Sequence, residues 1–310
     1  MATSAAIRKG QRLRDLHDLQ DIYLVNLGNP VILSKFFLMK RRLFSIVHKL
    51  YLTRLAAWWN RKRVIILCYH GVTERLERHP NDTSGLHIRA QRFEAQLNYL
   101  RRHYNVVSLA QFVEARKNNV PLPDYSVVLT FDDGYRNFLT GALPRLSARN
   151  LPVAVFLITD RVRAENQATG NEWSEADDET FLSWNEVKEL QRHGVEFGSH
   201  TCSHRKLSQL LQPEAERELR VSHQTIGEHL SQTAMPLAFP YGAYSESVIA
   251  MTRELPYTCA LTTDAGANTN STDLFLLRRN LIGDDDDEAS FAARVSGLSA
   301  LFKKITGGNS

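Results

Sequence analysis

Cysteine is scarce in this sequence, which has three among 310 residues: Cys68, Cys202 and Cys259. An odd and widely spaced set argues against a disulfide framework and fits a reducing compartment. The sequence also lacks any run of about 18 apolar residues, so no membrane-spanning helix is predicted. No secretory signal is recognised, because the apolar stretch at residues 31–38 is short and contains Lys35. We therefore expect a cytoplasmic protein.

Acidic residues are scarce only at the start of the chain. Residues 1–63 contain 13 Lys or Arg and 3 Asp or Glu, a net charge of +10, whereas the remainder carries −6. The sequence is accordingly divided into a basic N-terminal extension, residues 1–63, and a folded domain, residues 64–310. The mildly acidic domain gives no reason to expect a nucleic-acid groove, and nothing indicates a protein partner.

The basic extension contains one candidate membrane-binding element. Residues 39–63 hold eight Lys or Arg and no acid, and apolar side chains recur at helical spacing: Phe44, Val47, Tyr51, Leu55 and Trp58. This pattern predicts an amphipathic helix that lies on an anionic membrane, peripheral at the inner face of the cell membrane. The alternative is a helix that packs on the folded domain with its charges in solvent.

Short apolar runs alternate with helical patterns along residues 64–302. Strands are predicted at residues 64–70, 106–109, 126–133, 153–159, 195–201, 236–242, 258–264 and 275–282. Helices are predicted at residues 91–103, 110–117, 135–150, 184–193, 213–230, 245–254 and 288–302. Continuous apolar runs are typical of parallel strands that are buried on both faces. The order and length predict an α/β fold with a single barrel.

Polar side chains cluster at the carboxyl ends of the predicted strands, where α/β barrels place their active sites. His70, the pair Asp132 and Asp133, His200 and Tyr241 all stand at such ends. The adjacent carboxylates suggest a division of labour, in which one binds a cation and the other accepts a proton. A plain Asp-Asp-Gly turn is the alternative, because that tripeptide is common.

His200 and His204 have the spacing His-x-x-x-His, which can place two imidazoles on one metal ion. Chance spacing is the alternative, because the chain has eleven histidines. Two imidazoles and one carboxylate leave coordination positions open for water and substrate.

Three motifs in this order resemble those of the polysaccharide deacetylases, the NodB-homology group of carbohydrate esterase family 4. They are Thr-Phe-Asp-Asp-Gly ending at Gly134, Ser-His-Thr-Cys-Ser-His ending at His204, and Phe-Pro-Tyr-Gly ending at Gly242. The likeness covers about residues 64–285. It implies a distorted (β/α) barrel of the NodB type, a divalent metal and hydrolysis of an acetamido group on an N-acetylated glycan or lipid-linked sugar.

The resemblance also implies roles for individual residues. Asp133, His200 and His204 would hold the metal, with zinc expected and cobalt, nickel or iron as alternatives. Asp132 would be the base that activates a metal-bound water. The backbone N–H of Tyr241 would help to bind the tetrahedral oxyanion.

Two features depart from the usual family pattern. Ala238 stands where the third motif usually begins with an arginine that orients the base. No histidine follows His229, so the usual late general-acid histidine is missing. Residues 68–72 resemble the N-terminal Tyr-His element of the poly-N-acetylglucosamine deacetylase subgroup, which makes His70 the candidate acid. We expect its imidazole on the side of the pocket away from Asp132; a structural histidine that caps a strand is the alternative.

Several other residues are assigned packing roles or left between two roles. Arg279 could orient Asp132 in place of the missing arginine, or it could be an ordinary ion-paired strand residue. Trp184 is expected to anchor a helix N-terminus, with sugar stacking as the alternative. Cys68 and Cys202 are expected to pack in the core. The five acids at residues 284–288 are expected to form a solvated loop that leads into the last helix.

The leading hypothesis from the sequence is therefore a metal-dependent glycan N-deacetylase. An amidohydrolase of a small non-sugar amide is one alternative. The other is a catalytically inactive barrel that only binds glycan, for which the missing arginine is the best support.

Overall fold

The structure is a computed structural model that describes residues 45–46, 51–75, 85–164 and 174–300. Most of the predicted extension, residues 1–63, lies outside the described residues. Helix α1 is Leu52–Trp59, and it begins after Tyr51, which has a left-handed φ of 60°. Within these described ranges, no helix is both long enough and apolar enough to cross a membrane.

The strands of the described residues are short, and most lie in one sheet. They are β1 Val64–Tyr69, β2 Gly71–Thr73, β3 His87–Arg89, β4 Asn105–Val106, β5 Ser126–Phe131, β6 Ala154–Leu157, β7 Glu196–Ser199, β8 Met235–Ala238, β9 Tyr257–Leu261, β10 Ala267–Asn268 and β11 Asn280–Leu281. Every residue of β1 and β5 is buried, as the continuous apolar runs predicted.

The helices pack around this sheet. After α1 they are α2 Ala90–His103, α3 Leu109–Lys117, a π-helical turn Phe138–Ala142, α4 Leu143–Ser147, α5 Trp184–Arg192, α6 Gln212–Leu230, α7 Glu246–Glu254 and α8 Glu288–Val295. Capping boxes fix the starts of two of them: Ser108 with Gln111 at α3, and Ser183 with Glu186 at α5.

The main sheet has the strand order β10-β1-β5-β6-β7-β8-β9, and the successive pairs from β1 to β9 are parallel. The sheet curls into a half-barrel, in agreement with the predicted α/β barrel of distorted form. The chain after β9 bridges the two ends of the curl: Leu277 forms a parallel bridge with Leu261 of β9, and β11 then pairs with β1. This bridging segment carries Arg279.

Alternate residues of the strands form two apolar clusters. One joins the outer face of the sheet to the surrounding helices and includes Leu67, Leu129 and Phe197. The other lies on the concave side, where Ile66 and Val128 meet residues of α3 such as Phe112. Helix α3 meets the amino end of β7, where the N–H of Ala110 donates to Glu196 over 3.0 Å.

Two predicted elements differ most from the structure. The helix predicted at residues 135–150 is divided, because the π-helical turn Phe138–Ala142 precedes a short α4 that has Pro144 in its first turn. The strand predicted at residues 275–282 is reduced to Asn280–Leu281 and the single bridge at Leu277. The predicted domain boundary between residues 63 and 64 stays a prediction.

Candidate metal centre and active site

The candidate site is assembled from residues that directly follow the strands. Asp132 and Asp133 follow β5, and His200 follows β7. Gly134 ends the first of these segments with a φ of +76°, and a Cβ atom at this position would lie 2.8 Å from Cδ2 of Leu157. Glycine is therefore required both for the turn and for the close approach to β6.

Asp133, His200 and His204 converge on one point, as the sequence predicted for a metal site. Their candidate ligand atoms all lie within 4.8 Å of one another. Oδ1 of Asp133 is 3.5 Å from Nε2 of His200 and 3.5 Å from Nε2 of His204. Ligands about 2.0–2.1 Å from a tetrahedral ion are separated by about 3.4 Å. The spacing therefore fits an ion such as zinc.

The hydrogen bonding of these residues also fits a metal. Oδ1 of Asp133 is buried and has no hydrogen-bond partner among the described residues. A buried polar atom without a partner is costly unless something satisfies it. Nδ1 of His200 lies 2.8 Å from the carbonyl oxygen of Ala238. The Nδ1–H tautomer would donate to that carbonyl and leave the Nε2 lone pair directed at the cluster.

Burial shifts the pKa values of His200 and Asp133. It lowers the pKa of His200 to about 3, so this imidazole is neutral at neutral pH and can act as a ligand. Burial and the adjacent Asp132 carboxylate raise the pKa of Asp133 to about 7. A cation at this point would offset both costs, because it favours an ionised carboxylate and neutral imidazoles.

Left-handed backbone is concentrated around the cluster. Asp133, Thr201, His204 and Tyr241 have φ values of 71°, 65°, 63° and 58°. Non-glycine residues in this region are strained, and such strain is found where surrounding structure holds a side chain in a required position. Here it aims two of the three candidate ligands, Asp133 and His204.

Asp132 is held by Arg279 through two parallel hydrogen bonds. Nη1 and Nη2 of Arg279 donate to Oδ1 and Oδ2 of Asp132 over 2.6 and 2.7 Å, and both side chains are almost fully buried. Burial alone would raise the pKa of Asp132, but the guanidinium and His200 hold that pKa well below its usual value. Of the two alternatives for Arg279, the structure shows the contact with Asp132.

The comparisons with known proteins agree with this arrangement. The family model described as polysaccharide deacetylase matches residues 119–260, a segment that contains Asp132, Asp133, His200, His204 and Tyr241. Residues 119–260 therefore resemble a polysaccharide deacetylase domain. Arg279 and the first strand, with Cys68 and His70, lie outside the matched segment.

Two other proteins are similar in sequence to parts of this chain. The Bacillus subtilis protein YxkH, named as a polysaccharide deacetylase, is 21% identical over 234 residues, 75% of this chain and 76% of its own length. The poly-β-1,6-N-acetyl-D-glucosamine N-deacetylase of Escherichia coli K12 is 33% identical over 148 residues, 46% of this chain. That alignment spans only 21% of the E. coli protein.

A solved structure shares the fold. The deacetylase PplD of Streptococcus pyogenes, solved in complex with acetate, superposes with a TM-score of 0.65 at 23% sequence identity. The match covers 75% of this chain and 98% of that one. The NodB type of half-barrel expected from the sequence motifs is therefore the fold of the matched part of this chain.

Cys68 makes a contact that the sequence interpretation missed. The thiol is buried, and its Sγ donates to Oδ2 of Asp132 over 3.3 Å. Burial raises the pKa of Cys68 well above its usual value, so the thiol keeps its proton. The pairing of β1 with β5 explains this contact. Cys68 lies opposite Thr130, and Asp132, two residues after Thr130, points to the same side of the sheet. Core packing describes Cys68 only in part.

His70 reaches the site, but not where we expected it. One of its ring nitrogens lies within 4.8 Å of an Asp132 oxygen and of the Cys68 sulfur, so the expected position away from Asp132 is wrong. Strand register explains the difference, because β1 and β5 are parallel neighbours and their ends lie side by side. Nδ1 of His70 is buried without a hydrogen-bond partner in the described part of the chain. Burial lowers its pKa to about 4, although Asp132 opposes the shift.

Tyr241 stands at the rim of the site. Its ring is 59% exposed and lies against His204, with 4.6 Å between ring centroids. The amides that follow it, of Gly242 and Ala243, donate to Phe239 and Pro240. Among the hydrogen bonds between the turns and loops of the described residues, none is donated by the N–H of Tyr241.

Arg136, three residues after Asp133, was not identified from the sequence. Its buried guanidinium donates to Asp177 over 2.5 Å and to Glu186 of α5 over 2.9 Å. This ion pair ties the segment around Asp177 to the turn that carries the two aspartates. Only its place next to the motif could have suggested such a role.

Three other assignments have clear outcomes. Trp184 is buried and stacks on His229 at 3.8 Å between ring centroids, so it anchors α5 and does not face a sugar. Cys202 is buried, as expected. The solvated loop expected at residues 284–288 is wrong for Asp284 and Asp286, which are both 4% exposed. Arg89 donates to Asp284 and Arg294 donates to Asp286, and these charged hydrogen bonds offset the cost of burying the two carboxylates.

Proposed function

We propose that this protein is a metal-dependent hydrolase that removes N-acetyl groups from an N-acetylhexosamine-containing glycan or glycan precursor. One observation carries the proposal. Oδ1 of Asp133, buried and without a hydrogen-bond partner, lies 3.5 Å from Nε2 of both His200 and His204. The neighbouring carboxylate, Asp132, is fixed by Arg279 beside this cluster.

The residues that would hold the metal are Asp133, His200 and His204. A divalent ion bound there would polarise the acetyl carbonyl and lower the pKa of a water molecule. One carboxylate oxygen and two imidazole nitrogens suit zinc, with cobalt, nickel or iron as alternatives.

Asp132 is the proposed general base. Its Oδ2 is 3.8 Å from Nε2 of His200, so the carboxylate borders the metal cluster. Arg279 keeps Asp132 ionised and fixes its orientation. As the oxygen of the attacking water bonds to the acetyl carbon, Asp132 accepts the proton of that water. The N–H of Tyr241 then donates to the negatively charged oxygen of the former carbonyl.

His70 is the proposed acid for the leaving amine. A pKa of about 4 makes its imidazole neutral at neutral pH, so a proton must reach His70 during the reaction. Asp132 is the nearby group that has received one. We propose that the proton passes from Asp132 to His70 and then to the amine nitrogen as the carbon–nitrogen bond breaks. Water and the acetamido group are thereby converted to acetate and a free amine.

The first substrates to test are oligomers of N-acetylglucosamine. The E. coli relative, 33% identical over 148 residues, is named for a β-1,6-linked polymer of this sugar. A small non-sugar amide is the alternative substrate class, and a barrel that only binds glycan is the alternative function. A binder would have no use for the Asp132–Arg279 pair next to a metal cluster.

Acetate release from β-1,6-linked N-acetylglucosamine oligomers tests this proposal. The zinc-loaded protein should release acetate, and Asp132→Asn should abolish release while retaining the metal. Asp160→Asn is the matched control, because Asp160 is an exposed aspartate that follows β6. No release from any oligomer, with release from small amides, would replace the substrate class. Glycan binding without release from either class would support the inactive barrel.

A further inference from the structure

Helix α1 turns its apolar side away from the protein. Leu52, Leu55, Trp58 and Trp59 are 41%, 60%, 50% and 71% exposed. At 100° per residue these four side chains fall within one arc of about 120°. The buried side of α1 carries Thr53, which is 2% exposed. A surface helix normally shows the reverse pattern, with its apolar stripe facing the core.

The side of α1 that packs on the protein is made of small residues. Ala56 packs against Ala293 of α8 and Leu298. Asn60, directly after the helix, donates from Nδ2 to the carbonyl oxygen of Ser296 over 2.8 Å. The orientation of α1 is therefore fixed by contacts that do not involve its large apolar side chains. Those side chains stay in water unless another surface covers them, and contiguous exposed patches of this kind mark interaction sites.

Charge indicates which surface that is. Arg54 lies on the exposed part of the helix, and Arg61, Lys62 and Arg63 follow it. The guanidinium of Arg61 lies 4.6 Å from the Trp58 ring centroid. Asp124 pairs with Lys62 over 2.6 Å and with Arg61 over 3.7 Å, so one acid faces two of these four basic side chains. Leucine and tryptophan flanked by arginine and lysine is the composition of helices that lie in an anionic lipid interface.

We propose that the exposed face of α1, formed by Leu52, Leu55, Trp58 and Trp59, docks on an anionic lipid surface. The apolar side chains enter the boundary between headgroups and acyl chains, and the basic side chains meet the lipid phosphates. This inference does not depend on the proposed function, because it concerns binding and not catalysis.

The position of α1 has a consequence for the site. The backbone of Arg61 accepts a hydrogen bond from Tyr125, which precedes β5, so the chain leaving α1 meets the amino end of the sheet. Asp132 and His70 lie at the carboxyl end. A six-residue strand such as β1 is about 20 Å long, at roughly 3.3 Å per residue. The docking face and the candidate site are thus at opposite ends of the sheet, and docking does not require a lipid-linked substrate.

Vesicle sedimentation with the full chain tests this inference. The probe is vesicles of phosphatidylcholine with about 30% phosphatidylglycerol, compared with phosphatidylcholine alone, at low and high salt. We expect binding to the anionic vesicles that weakens with salt. The double variant Leu55→Glu with Trp59→Glu should bind at least about tenfold more weakly. Its melting temperature should not fall, because both side chains are exposed.

Leu211→Glu is the matched control, because Leu211 is 74% exposed and lies before α6, away from α1. It should bind vesicles as the unmodified chain does. Equal binding of the double variant and the control would overturn the proposal. So would a dimer of the unmodified chain in lipid-free solution that the double variant converts to a monomer, since a second copy would then be the occupant. Absence of binding to anionic vesicles would overturn it as well.

Discussion

Arg279 and Asp132 form a buried bidentate ion pair at the centre of the candidate site, with N–O distances of 2.6 and 2.7 Å. Arg279 reaches this position on the segment that bridges the ends of the half-barrel, and its Nε donates to the carbonyl of Thr262 over 2.9 Å. A bidentate pair fixes the plane of the carboxylate as well as its charge. The arginine usual in the third motif is therefore replaced in space, though not in sequence, and its absence is no evidence for an inactive barrel.

Substitution of Arg279 should affect both stability and turnover. Arg279→Met leaves the Asp132 carboxylate buried and unpaired, which costs about 3–5 kcal/mol of unfolding free energy when one partner of a buried pair is removed. Arg279→Lys keeps the charge but loses the second hydrogen bond, so kcat should fall by about tenfold while the fold survives. Urea unfolding and acetate release measure the two effects. Arg278→Met is the control at the adjacent exposed arginine; an equal loss there would remove the special role of Arg279.

Restoring the missing arginine at position 238 should harm the protein. The Ala238 side chain is fully buried in the concave apolar cluster, and its carbonyl oxygen receives the hydrogen bond from His200. Ala238→Arg would bury a second guanidinium for which Asp132, already paired, offers no free partner. Thermal unfolding should show a large fall in melting temperature, because each kcal/mol of lost stability lowers the melting temperature of such domains by several degrees. Ala234→Arg, on the exposed residue before β8, should be tolerated. An active and stable Ala238→Arg variant would contradict the assigned place of Arg279.

Removing the Cys68 thiol should lower activity more than removing a buried thiol that does not contact Asp132. Cys68→Ala deletes a donor to Oδ2 of Asp132, whose net value is about 0.5–1.5 kcal/mol, or roughly two- to tenfold in kcat. Cys68→Ser keeps a donor and should retain more activity. Cys259→Ala is the control, because it removes a thiol that is as buried as that of Cys68 but does not contact Asp132. Identical effects of Cys68→Ala and Cys259→Ala on kcat would reduce Cys68 to a packing residue.

The charge of Asp133 should destabilise the metal-free protein at neutral and higher pH. Its pKa is about 7 in the folded chain and near 4 in an unfolded one. Between these values the folded chain binds more protons, so this group lowers stability as pH rises from about 4 to 7. When a chelator keeps the protein metal-free, Asp133→Asn should therefore melt at a higher temperature than the unmodified chain at pH 8 but not at pH 4. If the difference in melting temperature between the two chains were the same at pH 4 and pH 8, it would contradict the raised pKa of Asp133.

The sequence predicted the convergence of Asp133, His200 and His204 better than the groups around Asp132. Asp133, His200 and His204 lie in short motifs, and the strand ends on which they stand could be recognised from buried apolar runs. Arg279 was left between two alternatives, because its reach depends on how the segment after β9 closes the half-barrel. The position of His70 was predicted wrongly, since the relation of β1 to β5 comes from strand order, which local patterns do not encode. Cys68 was assigned to the core because the sequence pattern predicted its burial but did not predict its contact with Asp132.

The acids at residues 284–288 show the same limit. Their composition predicts solvent exposure, yet Arg89 and Arg294 pair with Asp284 and Asp286 from distant parts of the chain. Asp287, by contrast, accepts from the backbone N–H of Ser290 as the N-cap of α8, which the local pattern of acids before a helix did indicate.

The central claim is that Asp133, His200 and His204 hold one divalent ion beside Asp132. Anomalous diffraction at the zinc edge from crystals of the zinc-loaded protein tests it most directly. We predict one peak about 2.0–2.2 Å from a carboxylate oxygen of Asp133 and from Nε2 of both histidines. Asp132 should remain paired with Arg279 and outside bonding distance. A peak bound instead by Cys68, His70 and Asp132, or no peak at these residues, would contradict the account.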